Sequence, residues 1–297
     1  MDLASLAMFR TVARERSITR AADLLGRVPS NVTTRIQQLE TEIGVALFER
    51  DKRGMELTVS GKVYLDYVER ILSLADEARQ TVNPTRPAGR MRIGSMECAL
   101  ASRLPAPLAA YNAQWPEVTL ELSAGPTQAL IGALLAHRID CGFIAAPPGA
   151  WCLSSAELEK VPLFREELLL VLPPGHPVVR TPQDIGPKSL AAFAPGCTYR
   201  MLAEAWLNPA GRGGFAVHDI GSYHAMFACT VSGACVSVMP KSVFALLKGA
   251  AQVVVRPLMT VDTYLAWRPG FATPAFSALR DEMMKVANIE MSAHAEK

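Results

Sequence analysis

Ser30, Asn31, Thr33, Thr34, Arg35, Gln37 and Gln38 crowd one short stretch of this 297-residue chain. They are short hydroxyls, amides and one arginine, groups that hydrogen-bond base edges or phosphates without steric bulk. Between them Val32, Ile36, Leu39 and Ile43 recur at steps of four, three and four. That period puts the apolar residues on one buried stripe of a helix and the polar set on the other face. A helix loaded with polar groups toward its N-terminus suits the major groove of a duplex. Arg50, Lys52 and Arg53 form one basic patch near it, and Arg14, Arg16, Arg20 and Arg27 another, interrupted by acids. Arg20 joins the residues expected to face DNA.

A second set is scattered along the chain. Ser95, Met96 and Glu97 lie in GSMECA, Pro126 and Thr127 in AGPTQ, Thr198, Tyr199 and Arg200 in GCTYR, and Ser222, Tyr223 and His224 in GSYHAM. Gathered in one cleft, these loops would hold a small molecule. Arg200 can fork a carboxylate, and Glu97 can pair with an amine. The ligand expected is therefore an amine, an amino acid or a carboxylate. Each residue also has a plain structural use: Ser222 and Thr127 are good helix caps, and Arg200 can bridge a surface acid.

A catalytic reading starts from His218, Asp219, Ser222 and His224, which are close in sequence. No GxSxG elbow supports it, and HxH, HExxH, paired CxxC, GxGxxG and Walker spacings are missing from the sequence. No enzyme activity, catalytic residue, metal or cofactor is expected.

The elements that must position the first set follow from periodicity. Leu3, Leu6, Phe9, Val12 and Ala13 mark a backing helix. Ser17 can cap the next, and Gly26 is suited to end it. Pro29 or Ser30 starts the polar helix. Leu47-Phe48 and Met55 to Val59 read as two short strands around the charged turn Asp51 to Gly54, a wing beside a helix–turn–helix. Ser60 then caps a long helix in which Tyr64, Val68, Ile71, Ala75, Ala78 and Val82 form a heptad seam. Such a seam predicts pairing of two chains, with two reading helices about one DNA turn apart.

Residues 83 to 90, NPTRPAGR, read as a hinge. Beyond them strands and helices alternate, which predicts two lobes of parallel α/β sheet. A helix over Ala101 to Gln114 and strands at Glu167 to Leu172, Val253 to Leu258 and Tyr264 to Arg268 are among those expected. Ligands bind such sheets at the carboxyl ends of strands, and this rule selects the four loops above.

Composition narrows the classes. The length calls for more than one core. Half the residues are hydrophobic, and the formal net charge is only +2, so any DNA footprint is local. No apolar run approaches the roughly 20 residues of a bilayer-spanning helix. The N-terminus lacks an export signal and reads as a mature helix, so a cytoplasmic protein with no membrane partner is expected. The six cysteines form no CxxC pair and are expected to be reduced, mostly buried small hydrophobes.

Residues 1 to about 82 resemble the DNA-binding domain and linker helix of LysR-type transcriptional regulators. The resemblance rests on LASLAMFRTVARERSITRAADLLG, TRIQQLETEIGVALFER and ELTVSG. The remainder resembles the family's effector-binding domain, a two-lobed fold like periplasmic solute-binding proteins. VPSNVTTRIQQLETEIG, GSMECA, GCTYR and SYHAMFACTVSGACVSVMPKS look closest to the family's regulators of putrescine utilisation in enteric bacteria. Two positions depart from the pattern: Pro29 stands where the family often has a DNA-touching glutamine, and Thr33 where it usually has serine. The resemblance implies an α plus α/β protein. Its parts are a winged helix–turn–helix at 1–60, a dimerisation helix at 61–82, a hinge at 83–90 and an effector domain at 91–297. One lobe would span about 91–166 with 268–290, the other about 167–267. It also implies double-stranded promoter DNA, a small-molecule effector and RNA polymerase as partners, in a homodimer or homotetramer. A solute-binding protein would explain only residues 91 to 290.

Overall fold

Glu40 carries an arrangement that shapes the N-terminal part. Its carboxylate accepts from the backbone N–H groups of Leu47 at 2.7 Å and Phe48 at 3.0 Å, tying the end of a helix to the strand that follows. The computed structural model describes residues 2–51, 54–82, 86–146, 157–208, 214–249 and 252–295. They fall into two units, one of residues 1–83 with 136–138 and one of the remainder.

The first unit holds α1 (Leu3–Glu15), α2 (Ile18–Leu25), α3 (Pro29–Ile43), β1 (Phe48–Asp51), β2 (Gly54–Leu57) and α4 (Val59–Val82). Asp2 caps α1 by accepting from Ser5 N at 2.7 Å, and Ser17 caps α2 by accepting from Arg20 N. Gly26 ends α2 at φ 61°, a conformation that glycine adopts without strain. Leu6, Phe9 and Val12 of α1 pack on Ala21, Ala22, Val32, Ile36 and Leu39, with Leu47 and Phe48 closing the core. The wing strands pair antiparallel, Phe48 opposite Leu57 and Asp51 opposite Gly54. Lys52 and Arg53 of the expected wing patch lie outside the described residues.

The long helix α4 differs from expectation in two ways. Its cap is Thr58, whose Oγ1 accepts from Gly61 N at 2.9 Å, and not Ser60. The heptad seam is also not a free face. Val68 is 0% exposed and Leu72 7% in the unit's own core, with Tyr64 and Ile71 packed beside them. Glu69 holds the same face down through Arg14 at 2.8 Å and Arg10 at 3.6 Å. The exposed large apolar residues of α4 are Val59, Val63, Tyr67, Leu74 and Val82. Val63, Tyr67 and Leu74 are offset from that seam, while at its C-terminal end Ala78 and Val82 are exposed and Ala75 partly so.

The second unit contains β3 (Gly89–Ser95), α5 (Glu97–Ser102), α6 (Pro105–Gln114), β4 (Val118–Ala124), α7 (Thr127–Leu135), β5 (Cys141–Ala146) and β6 (Glu159–Leu172). It continues with β7 (Ser189–Ala192), α8 (Thr198–Leu207), β8 (Ala216–Asp219), α9 (Tyr223–Val231), β9 (Val236–Pro240), α10 (Lys241–Phe244), β10 (Val254–Trp267) and α11 (Pro274–Ala295). The described strands form an eight-stranded sheet ordered β4-β3-β5-β10-β6-β9-β7-β8. One core gathers Met91, Ile93, Tyr111, Phe143, Phe276 and Leu279; the other gathers Leu190, Ala203, Met226, Val236 and Met239. These are the two lobes.

Several boundaries move. The helix expected over Ala101 to Gln114 is two, α5 and α6, because Pro105 cannot donate a backbone hydrogen bond and starts a new helix. The sheet is mixed: β3 runs parallel to β4 and β5, and β7 to β8 and β9. The two long strands β6 and β10 run antiparallel to each other across both lobes, from Val254 opposite Leu172 to Trp267 opposite Glu159. The two strands expected at 253–258 and 264–268 are thus one, with a register shift between Pro257 and Met259, where proline lacks a ladder donor. Of the expected hinge, Gly89 and Arg90 already belong to β3, and residues 83–85 lie outside the described ones.

Candidate functional site

The polar face of α3 is built by the opposite face. Because Val32, Ile36 and Leu39 are buried to within 3%, Ser30, Asn31, Thr34, Arg35, Gln37 and Gln38 must point away from the core, and all are exposed. Thr33 is half-buried. The hydroxyls of Thr33 and Thr34 donate to Pro29 O at 3.0 Å and Ser30 O at 2.9 Å, so each oxygen keeps its acceptor role outward. Pro29 opens the helix, and no side chain caps it. Arg35 sits 3.7 Å from Asp2, an exposed and hence weak pair. Arg20 is less available than the sequence implied, because its guanidinium folds back onto the Glu15 carbonyl and carboxylate. Arg50 lies in β1.

Part of the second set meets at the inter-lobe cleft. A cavity of about 230 Å³ opens where β3, β4, β7 and β8 end. Met96, Glu97, Pro126, Thr127 and Tyr199 line it. Thr127 Oγ1 accepts from Ala145 N at 3.3 Å, and Thr198 Oγ1 donates to Ala145 O at 3.1 Å. One residue of β5 is thereby held from both lobes. Gln128 N donates to Gly196 O at 3.2 Å, a second link across the cleft. Buried Glu166 on β6 accepts from Arg103 Nε at 2.6 Å and Ser242 Oγ at 2.8 Å.

Five of the expected residues are not in the lining: Ser95, Thr198, Arg200, Ser222 and His224. Thr198 is buried, its hydroxyl donating to Ala145 O. Ser95 is buried, its hydroxyl donating to Met96 O at 3.0 Å. Ser222 is the N-cap of α9 without a side-chain capping bond. His224 is exposed. Arg200 is corrected most clearly: its guanidinium binds Glu204 at 2.8 Å, the Phe193 carbonyl at 2.9 Å and Asp219. It bridges acids and has no fork left for a ligand. That contact also takes Asp219 out of the catalytic grouping considered from sequence. Sequence reasoning missed Cys98, Ala124, Gly125, Phe193, Ala194, Cys197 and Gly221, which all line the cavity. They are apolar or small, and a search for polar loop residues passes over them. Tyr223, noted in its motif, lines it too.

The electrostatics of the cavity come from burial. Tyr199 and Tyr223 are pushed well above the usual phenol range, mainly by desolvation, so both stay neutral. Burial pushes the Cys98 thiol up to about 12, and it donates to Tyr199 Oη at 3.7 Å. Glu97 is raised by burial, with the charge of His224 acting against the shift. Cys98, Cys141 and Cys235 are buried, Cys197 and Cys229 partly so, and all five are free thiols. Cys152 lies outside the described residues. Among the described residues no group of three or more His, Cys, Asp or Glu could hold a metal, and no helix is long and apolar enough to cross a membrane.

Residues 3–62 match the model of the bacterial regulatory helix-turn-helix protein, lysR family, and residues 84–288 match the LysR substrate binding domain. The uncharacterized transcriptional regulator YusT of Bacillus subtilis is 38% identical, covering 82% of this chain and 80% of its own. The transcriptional regulator GltR of Bacillus subtilis is 36% identical over 82% and 81%. Among solved structures, a full-length OxyR from Pseudomonas aeruginosa superposes with a TM-score of 0.74, at 24% identity and 97% coverage of both chains. Full-length CbnR complexed with target DNA gives 0.67, at 20% identity, covering 97% of this chain and 100% of that one.

Proposed function

The chain belongs to the LysR family of bacterial helix–turn–helix regulators, and on that premise we propose how its parts divide the work of a DNA-binding transcriptional regulator. The face of α3 bearing Ser30, Asn31, Thr33, Thr34, Arg35, Gln37 and Gln38 reads promoter bases, and Arg50, Lys52 and Arg53 of the wing meet phosphates. Arg20 has a lesser part. The inter-lobe cavity takes the effector, an amine, amino acid or carboxylate. The exposed stripe of α4 pairs two chains, and two pairs join into a tetramer. Effector binding moves the lobes and so changes the spacing of the reading helices on DNA. Such a protein works in the cytoplasm, beside the chromosome and RNA polymerase. The likeness to putrescine regulators rests on four motifs alone, since the relatives described above carry other names.

The observation that carries this reading is the exposed polar face of α3 opposite its buried stripe. Gel retardation tests it. Gln37→Ala with Gln38→Ala should weaken retention of a selected promoter fragment by about tenfold or more, since base contacts carry roughly 1–3 kcal/mol each, and leave retention of random DNA unchanged. Equal loss on both DNAs, or no retention by the unaltered chain, would refute it. A solute binder would retard neither.

A further inference from the structure

The cavity is lined by a single carboxylate, and one of its oxygens has no hydrogen-bond partner among the described residues. Glu97 opens α5 at the carboxyl end of β3, and its Oε2 is that buried oxygen. A buried carboxylate oxygen in that state has lost its hydration and gained nothing in return. The surrounding lining does not neutralise it: Met96, Pro126, Phe193 and Tyr223 are apolar or aromatic, and no lysine or arginine is present there. Arg200 is engaged by Glu204 and Asp219. His224, whose charge reaches Glu97, is exposed and outside the lining. Phe193 and Tyr223 meet edge-to-face with ring centres 4.8 Å apart, and aromatic faces attract an ammonium group.

We propose that the effector is a small organic monocation whose ammonium pairs with Glu97 and whose apolar or aromatic body lies among Met96, Phe193 and Tyr223. The proposal rests on the cleft being the effector site. A ligand carboxylate would face Glu97 with like charge and find no cation in the lining. A second ammonium, as in a linear diamine, would find no second carboxylate. The cavity, about 230 Å³, has room for roughly eight water volumes at about 30 Å³ each, which suits a compact monoamine.

Calorimetric titration of the full chain with 2-phenylethylamine, 2-phenylethanol and 3-phenylpropionate tests this. The amine should bind at least about tenfold more tightly than the alcohol, or about 1.4 kcal/mol, and the acid least. In Glu97→Gln the amine-to-alcohol ratio should fall to near one, while the alcohol's own binding shows that the cavity is intact. The proposal is overturned if the amine does not bind, if the acid is preferred, or if the preference survives Glu97→Gln. Ala194→Trp, which fills the cavity, separates the two readings. Amine binding that survives it refutes the cleft as the site. Amine binding lost there but unaltered in Glu97→Gln refutes only the ammonium pairing.

Discussion

Leu74→Glu places a charge on the outward stripe of α4, and its effect follows from exposure. Leu74 keeps 50% of its surface exposed in the isolated chain. Covering the rest in a pair of chains recovers about half of the roughly 2 kcal/mol that full burial of a leucine contributes, or about 1 kcal/mol. A two-fold interface contains the residue twice, so about 2 kcal/mol is at stake. Two facing carboxylates add about 1 kcal/mol of repulsion even at the dielectric constant of water. The sum, about 3 kcal/mol, weakens pairing by roughly two orders of magnitude. Concentration-dependent sedimentation measures it. Val68→Ala is the counterpart, because Val68 is 0% exposed in the chain's own core. It should lower folding stability by about 2 kcal/mol for two buried methyl groups and leave pairing alone. If Leu74→Glu sediments as the unaltered chain, or Val68→Ala dissociates without losing stability, the division of α4 into an inner and an outer face is wrong.

Other sites give independent checks. Asp140 accepts from Arg92 N at 2.8 Å and from the Arg92 guanidinium, with Arg268 4.0 Å away; Asp140→Ala strands buried cations and should cost about 3–5 kcal/mol in denaturant unfolding. A Cβ at Gly61 would lie 2.0 Å from Leu47 O, so Gly61→Ala should destabilise by about 1–3 kcal/mol, read as a lower thermal midpoint. With burial holding the Cys98 thiol at about 12, its thiolate fraction at pH 8 is about 10⁻⁴, and peptide mass spectrometry after native alkylation should find Cys98 unlabelled. Since the folded state raises that pKa, Cys98 contributes stability below the unfolded thiol value of about 8.5 and loses it as pH climbs toward 12; a melting point that rises with alkali would contradict this.

Local patterns were legible without coordinates. The steps of four and three through Val32, Ile36 and Leu39 determined which side of α3 is buried, and therefore which side stays polar and open. The strand–helix alternation determined a two-lobed α/β body, and the strand-end rule located the loops that meet at the cavity. Only tertiary packing decided between residues of equal local promise. Helix α4 carries two apolar stripes, and the stripe through Val68 is the one that α1 covers; no periodicity states which stripe finds a partner inside the chain. Arg200 and Glu97 looked alike as loop charges. Asp219, 19 residues from Arg200, pairs with the arginine, whereas Glu97 Oε2 has no hydrogen-bond partner among the described residues. Charge pairing depends on which side chains the fold brings within about 4 Å, and this is a property of long-range contacts.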